Sequence, residues 1–292
     1  MRDDFCVFIL THGRPDNVVT YAKLLAAGYT GKVYIVIDNE DDTEDAYRKR
    51  YGDKVLQFDK KAEAALIDEG DNFHDRRVII HARNVCFRLA EEVGCKYFIE
   101  FDDDYTSFHY RKDSKNRYVS RRVTTTMDQL LEALLVYFIE TPQIKTICLS
   151  QGADHMGGDQ GPTSLRRKVM NSFICSVDRP FRFFGKINED VNLYTTEARR
   201  GALFFSVMSA HLVQKQTQQS DAGMTEIYLD KGTYFKSFYS VMYAPSCVQI
   251  ALMGDPRKKE NYRIHHRVAW NNTAALILRE EHRKAPTAYT VT

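Results

Sequence analysis

The sequence contains no C-x-x-C pair: its six cysteines, Cys6, Cys86, Cys95, Cys148, Cys175 and Cys247, stand singly along 292 residues. That spacing fits buried reduced thiols and excludes a disulfide framework or a zinc ribbon. Long apolar runs are also missing. The longest, Leu130 to Ile139, is interrupted by Glu132 and is far too short to cross a bilayer, and Arg2, Asp3 and Asp4 do not open a secretion signal. A soluble, cytoplasmic chain with no membrane partner is expected. Neither sign of charge is in excess, since 41 Lys and Arg face 39 Asp and Glu for a net charge of +2. Overall composition therefore demands no nucleic-acid partner, although charge can still be concentrated locally. There is no internal repeat and no clear linker. With 43% hydrophobic and 27% charged residues, the chain can bury the core of one large α/β domain.

The apolar run Phe5 to Leu10 ends in Thr11-His12-Gly13-Arg14-Pro15, and a second run, Val33 to Ile37, ends in Asp38-Asn39-Glu40-Asp41-Asp42. A helical stretch around Val18 to Ala27 lies between them, which makes a βαβ unit with strands covered on both faces. Pro15 suits a first helical turn. Phe58 to Arg77 reads as a long polar loop. The spacing of Ile79, Ala82, Cys86, Leu89, Ala90 and Val93 predicts a helix ended by Gly94. Tyr97 to Phe101 is then a strand delivering Asp102-Asp103-Asp104 at its carboxyl end, where doubly wound sheets bind ligands. Thr126 with Gln129 forms a capping box for a helix with Leu130, Leu131, Leu134, Leu135 and Phe138 on one face. Strands are predicted at Ile144 to Leu149, Asn171 to Val177, Ala202 to Met208 and Phe238 to Tyr243, with a terminal helix around Val268 to Glu281.

The acids suggest the chemistry. Alternation along an extended segment lets Asp102 and Asp104 face one divalent cation while Asp103 faces elsewhere, toward a ribose in one reading; a solvated turn is the plain alternative. Two more acids, Glu189 and Asp190, open a predicted helix after the aromatic run Phe181 to Phe184. A carboxylate there can serve as general base, with Asp190 preferred to Glu189, or can simply complement a helix N-terminus. His265 and His266 are candidate metal ligands far away in sequence.

Taken in order, Thr11-His12-Gly13-Arg14-Pro15, Asp38, Ala82-Arg83-Asn84, Phe98-Ile99-Glu100-Phe101-Asp102-Asp103-Asp104, Asn188-Glu189-Asp190 and His265-His266 resemble GT-A glycosyltransferases over nearly the whole chain. Within these, the sequence is similar to the phage TET-associated glycosyltransferases, proposed to add sugars to hydroxymethylated bases in DNA. The resemblance implies a Rossmann-like, mostly parallel sheet flanked by helices, with an acceptor-binding subdomain in the second half. Residues 1–125 would hold the nucleotide-sugar, a UDP-sugar, and the metal; residues 126–292 would hold the acceptor and the base. Thr11 and Arg14 would line the nucleotide pocket, Asp38 would meet the base or ribose, and Arg83 would approach the diphosphate or sugar. Asp102 and Asp104 would hold Mn2+ or Mg2+, with His265 or His266 completing the shell. Asp190 would be the base of an inverting reaction, in the host cytoplasm if the gene is a phage's.

For the acceptor, the segment from Arg111 to Arg122 carries Arg111, Lys112, Lys115, Arg117, Arg121 and Arg122 against one acid, Asp113. As a hairpin or exposed loop it would grip a phosphate backbone beside the metal acids, or be merely solvated. Further basic groups stand at Arg166-Arg167-Lys168, Arg199-Arg200 and Arg257-Lys258-Lys259, and Gly152 to Gly161, with His155 and Asp159, is a possible acceptor-side loop. A modified base in duplex DNA would be extruded before transfer. Other readings are a GT-A enzyme with a polysaccharide, protein or lipid-linked acceptor and a non-catalytic nucleic-acid-binding module. A nucleotidyltransferase would carry a glycine-rich, lysine-bearing first loop, whereas Thr11 to Pro15 has one glycine and no lysine.

Overall fold

Residues Phe5–Leu10 form the first strand, β1, and all six are buried, because β1 lies inside the main sheet and helices cover both its faces. In the computed structural model residues 1–68, 76–155, 171–214, 235, 237–254 and 262–273 are described. A 3-10 turn at Pro15–Asn17 leads into α1 (Val19–Ala26), followed by β2 (Lys32–Asp38), α2 (Glu44–Tyr51), β3 (Val55–Phe58), α3 (Lys60–Ala64), α4 (Ile80–Glu92) and β4 (Tyr97–Asp102). The hairpin β5 (Tyr105–Lys112) and β6 (Tyr118–Arg122) comes next, then α5 (Met127–Glu140), β7 (Ile144–Ser150), β8 (Ser172–Ser176), α6 (Glu189–Glu197) and β9 (Leu203–Gln214). A separate two-stranded sheet pairs β10 (Val248–Met253) with β11 (Arg263–Val268).

The main sheet has nine strands in the order β3-β2-β1-β4-β8-β7-β9-β5-β6. The pairings run β1, β2, β3, β4, β6, β7 and β9 in one direction and only β5 and β8 in the other. This is the mostly parallel, helix-flanked α/β architecture expected from the sequence. Alternation along β1 serves two cores. Phe5, Val7 and Ile9 pack with Leu24, Leu131, Leu135 and Phe138 on the α1/α5 side. Cys6, Phe8 and Leu10 pack with Val85, Cys86, Leu89, Val191 and Tyr194 on the α4/α6 side. Each fully buried Leu or Phe contributes about 1.5–3 kcal/mol of apolar transfer. The chain winds outward from β1 through β2 to β3, then returns to place β4 on the other side of β1, with Leu10 opposite Asp102. Such a reversal is where open α/β sheets form their ligand crevice, here at the carboxyl ends of β1 and β4.

Several expectations are corrected. Residues 237–243 are helical, not a strand, because Ser237, Ser240 and Ala244 are buried while Phe238 and Met242 are exposed, a spacing of three to four residues. The polar stretch after Phe58 contains α3, whose first turn is capped by Asp59 accepting from the Ala62 N–H at 2.9 Å. Thr126 caps no amide of α5 with its side chain; its hydroxyl lies 2.8 Å from Tyr110 Oη instead. Val268 ends β11, and only a short helix, Trp270–Thr273, follows before the described residues end. Asp159, Arg166-Arg167-Lys168, Arg257-Lys258-Lys259 and the rest of the stretch expected to form the terminal helix lie outside the described residues. All six cysteines are free and buried, and no described helix is long and apolar enough to cross a membrane.

Candidate active site

The loop after β1 is tied to the turn after β4. Thr11 Oγ1 donates to Asp103 Oδ2 at 2.6 Å and lies 2.9 Å from Tyr47 Oη. The Arg14 backbone N–H donates to the same phenol at 2.9 Å, while its guanidinium pairs with Asp103 Oδ1 at 3.0 Å. Asp103, 2% exposed, is thus spent on organising this loop and does not point away from it. Arg14 Nε is buried with no hydrogen-bond partner, so one donor beside the crevice remains for a ligand oxygen. At the end of β2, Asp38 lies 2.9 Å from His12 Nδ1 and 3.3 Å from Lys60 Nζ. Burial pushes its carboxyl up, but His12 and Lys60 together outweigh this and leave it below its ordinary value. The hydrogen bond to Asp38 raises His12 in turn. Asp41 accepts the Gly13 N–H at 2.7 Å, which fixes that glycine at φ 67°.

At the end of β4, the Asp104 carboxyl is pushed up to about 7, first by burial and then by the charges of Asp102 and Asp103. Its Oδ2 accepts from Gln214 Nε2 at 3.3 Å, but Oδ1 is buried with no hydrogen-bond partner. Burial also raises Asp102 against the opposing charge of Arg83, and Asp190 adds to the rise. A hard divalent cation fits this arrangement: crowded carboxylates, one with an orphaned oxygen, gain most from a compact positive charge. Among the described residues no group of three or more His, Cys, Asp or Glu forms a complete cage. Two carboxylates with substrate phosphates are the usual way Mg2+-type ions are held in nucleotide sites.

Facing this pair is the start of α6. Asn188 precedes it in the left-handed conformation (φ 57°), which asparagine tolerates, and its Nδ2 donates to Ser240 Oγ at 3.1 Å. The same amide nitrogen lies 3.3 Å from His266 Nδ1, bringing the buried His266 of β11 to the helix start. His265 Nδ1 lies 2.7 Å from the His266 carbonyl oxygen. Glu189 and Asp190 are the first residues of the helix, and Asp190 is 8% exposed. Arg83, 1% exposed, sits between the sheet and this helix. Its Nη2 is 3.1 Å from Asp102, its Nε 3.3 Å from Glu189 and its Nη1 3.5 Å from Glu100. The structure therefore brings Thr11, Arg14, Arg83, Asp102, Asp103, Asp104, Glu189 and Asp190 to one crevice, with His266 joined through Asn188.

The basic segment is a hairpin. Arg111 Nη1 donates to Tyr118 Oη and Ser120 Oγ at 3.2 and 2.6 Å, Arg117 pairs with Asp113 at 2.7 Å, and Arg121 lies over the Tyr110 ring. Lys115, Arg117, Arg121 and Arg122 are exposed, whereas Arg111 and Lys112 are half-buried. Elsewhere, Arg199 donates to Ser246 and Arg200 pairs with Glu197. His155 ends a 3-10 turn with Nε2 2.7 Å from Ser150 Oγ.

Sequence reasoning passed over Tyr47, Asp41, Lys60, Gln214 and Glu100. For Glu100 there was a signal: an acid inside the apolar strand Phe98-Ile99-Glu100-Phe101 demands a buried partner, which is Arg83. Nothing marked Tyr47 or Gln214, whose partners lie 36 and 110 positions away.

Among solved structures, the chain is similar to Staphylococcus aureus TarS (14% identity, 71% of this chain and 36% of that one, TM-score 0.40). It is also similar to glucosyl-3-phosphoglycerate synthase from Mycobacterium tuberculosis, solved with Mn2+, uridine diphosphate and phosphoglyceric acid (11% identity, 94% and 88%, TM-score 0.44). A TarS fragment of residues 1–349 matches at 14% identity over 71% of this chain and 59% of that one, TM-score 0.39. This chain thus spans less than two thirds of either TarS molecule. A family model of TET-associated glycosyltransferases matches residues 5–223, which run from β1 through both acidic clusters and past β9, and the chain belongs to that family.

Proposed function

We propose that this protein transfers a sugar from a nucleotide-sugar, a UDP-sugar by preference, to the hydroxyl of a hydroxymethylated base in DNA, with Mn2+ or Mg2+ as cofactor. The observation that carries the reading is the Asp102/Asp104 pair in the crevice between β1 and β4, with the orphaned Asp104 oxygen facing no protein donor. Asp102 and Asp104 hold the cation, with His266 or His265 as a further ligand. The cation, when bound, neutralises charge developing on the departing diphosphate. Thr11 and Asp38 line the nucleotide side, and Arg14, with its free Nε–H, binds donor oxygens.

Asp190 accepts the proton of the attacking hydroxyl as the new glycosidic bond forms and the bond to the diphosphate breaks, inverting the anomeric carbon. Its position on the first turn of α6, across from Asp102, supports this role. The β5–β6 hairpin, whose first strand follows directly on the Asp102–Asp104 turn, provides the phosphate-backbone contacts through Lys115, Arg117, Arg121 and Arg122, with Arg111 and Lys112 next to its turn.

Titration calorimetry with UDP-glucose and Mn2+ tests the donor half. Wild-type protein should bind only with metal, Asp102→Ala and Asp104→Ala should not bind, and Asp190→Asn should bind as wild type does. Metal-independent binding that survives both alanine changes would remove these acids from the donor site.

A further inference from the structure

We infer that Arg83 and Asn84 are positioning residues, which fasten the base-bearing start of α6 to the metal-bearing end of β4, and that Glu189 is the grip they hold. This rests on the reading of Asp190 as base and of Asp102 as a metal carboxylate.

The argument begins with where the Arg83 guanidinium can reach. It is 1% exposed and packs against two mutually contacting aromatic rings, 4.8 Å from the Phe173 centroid and 5.7 Å from that of Phe183. Its three nitrogens face three different acids, Asp102, Glu189 and Glu100, at 3.1, 3.3 and 3.5 Å. Such a group is committed to protein partners and, at 1% exposed, presents almost no surface to a diphosphate. The planar fork of arginine can hold acids along separate edges at once, which a lysine ammonium at the end of a flexible stem cannot reproduce.

The neighbouring residue does the complementary work. Asn84 Nδ2 donates to the Phe183 carbonyl at 2.9 Å, and the Phe183 N–H donates back to Asn84 Oδ1 at 2.8 Å. Two adjacent residues on the rigid helix α4 therefore fix both the segment entering α6 and its first residue. The start of α6 needs such support. Asn188, at the N-cap position, accepts no hydrogen bond from the helix amides through its side chain, whose Nδ2 is turned to Ser240 and His266. Without a cap the first turn is prone to fray, and it is the turn that carries Asp190. A displacement of about 1 Å at a reacting group is enough to cost on the order of 10²-fold in rate.

Three readouts test this on the full-length protein, with UDP-glucose, Mn2+ and hydroxymethylcytosine-containing duplex as probes. First, amide hydrogen exchange over residues 189–197 should accelerate about tenfold or more in Arg83→Lys and Glu189→Ala. Second, both variants should bind UDP-glucose within about twofold of wild type while kcat falls on the order of 10²-fold, and the double variant should fall little further than either single, because one fastening is lost in each case. Third, Glu189→Gln keeps an oxygen for the Arg83 Nε–H and should regain at least about tenfold of what Glu189→Ala loses.

The inference is overturned if exchange in α6 is unchanged while Arg83→Lys weakens UDP-glucose binding, which would make Arg83 a donor ligand. It is equally overturned if Glu189→Gln is as inactive as Glu189→Ala, which would make Glu189 the proton acceptor. Glu189 is partly exposed at the helix start, so its variants keep the test available should Arg83→Lys fail to fold. Near-normal turnover by Asp190→Asn would contradict the base assignment alone, and the exchange measurement would still report on the fastening.

Discussion

Asp104 illustrates how one carboxylate can limit both stability and ligand binding. Burial and two neighbouring acids hold its carboxyl up at about 7, far above the ordinary value for aspartate. The folded, metal-free chain therefore favours the protonated form. That contribution to stability is complete below the unfolded value near 4 and is lost as pH rises through about 7. A bound cation reverses the preference. The Mn2+-induced rise in Tm should therefore be small at pH 5.5 and grow through pH 7, and it should vanish in Asp104→Ala; a rise equally large at both pH values would place the ion elsewhere. Asp104→Asn should melt higher than wild type at pH 8 without metal. Tyr47, fully buried, joins Thr11 to the Arg14 backbone through one phenol. Tyr47→Phe should cost about 1–3 kcal/mol of stability by leaving the Arg14 N–H without its acceptor, measured by urea denaturation.

The elements carry a different kind of information. β1 and β4 were readable because strands covered on both faces are continuous apolar runs, and α4 was readable from its helical spacing and the glycine after it, Gly94 at φ 70°. The helix at 237–243 was not, since Phe238, Tyr239, Val241 and Tyr243 favour strand in isolation and only packing selects the face carrying Ser237 and Ser240. The acids at the end of β4 could be anticipated from their place after a buried strand. The commitment of Arg83 could not, because it depends on Phe173, Phe183 and Glu189, roughly a hundred positions away in sequence. The β5–β6 hairpin gives an element-scale prediction. Glutamine at Lys115, Arg117, Arg121 and Arg122 should reduce the slope of log affinity for duplex DNA against log salt by up to about 0.9 per lost contact, with donor affinity intact. An unchanged slope would remove the hairpin from the DNA interface. Gly28, at φ 88°, is a further case: a Cβ there would lie 2.6 Å from the Thr125 carbonyl carbon, so Gly28→Ala should lower Tm by separating α1 from the start of α5.

Across the whole molecule, the two acidic clusters meet because the sheet interleaves early and late parts of the chain. β7, β8 and β9 are inserted between β4 and β5, so the hairpin that follows the Asp102–Asp104 turn packs on a strand formed a hundred residues later. The β8 strand places Phe173 beneath Arg83, and α6 returns over the same edge with Asp190. The acids proposed to hold the cation, the groups proposed to bind the donor and the candidate base thereby come from distant parts of the chain. The most direct test is to incubate the protein with Mn2+, UDP-sugars and duplex DNA bearing either cytosine or hydroxymethylcytosine, digest the DNA and weigh the nucleosides by mass spectrometry. A mass gain of one sugar on hydroxymethylcytosine alone, absent in Asp102→Ala and Asp190→Asn, is the predicted result; unmodified DNA in the presence of measurable donor binding would contradict DNA as the acceptor.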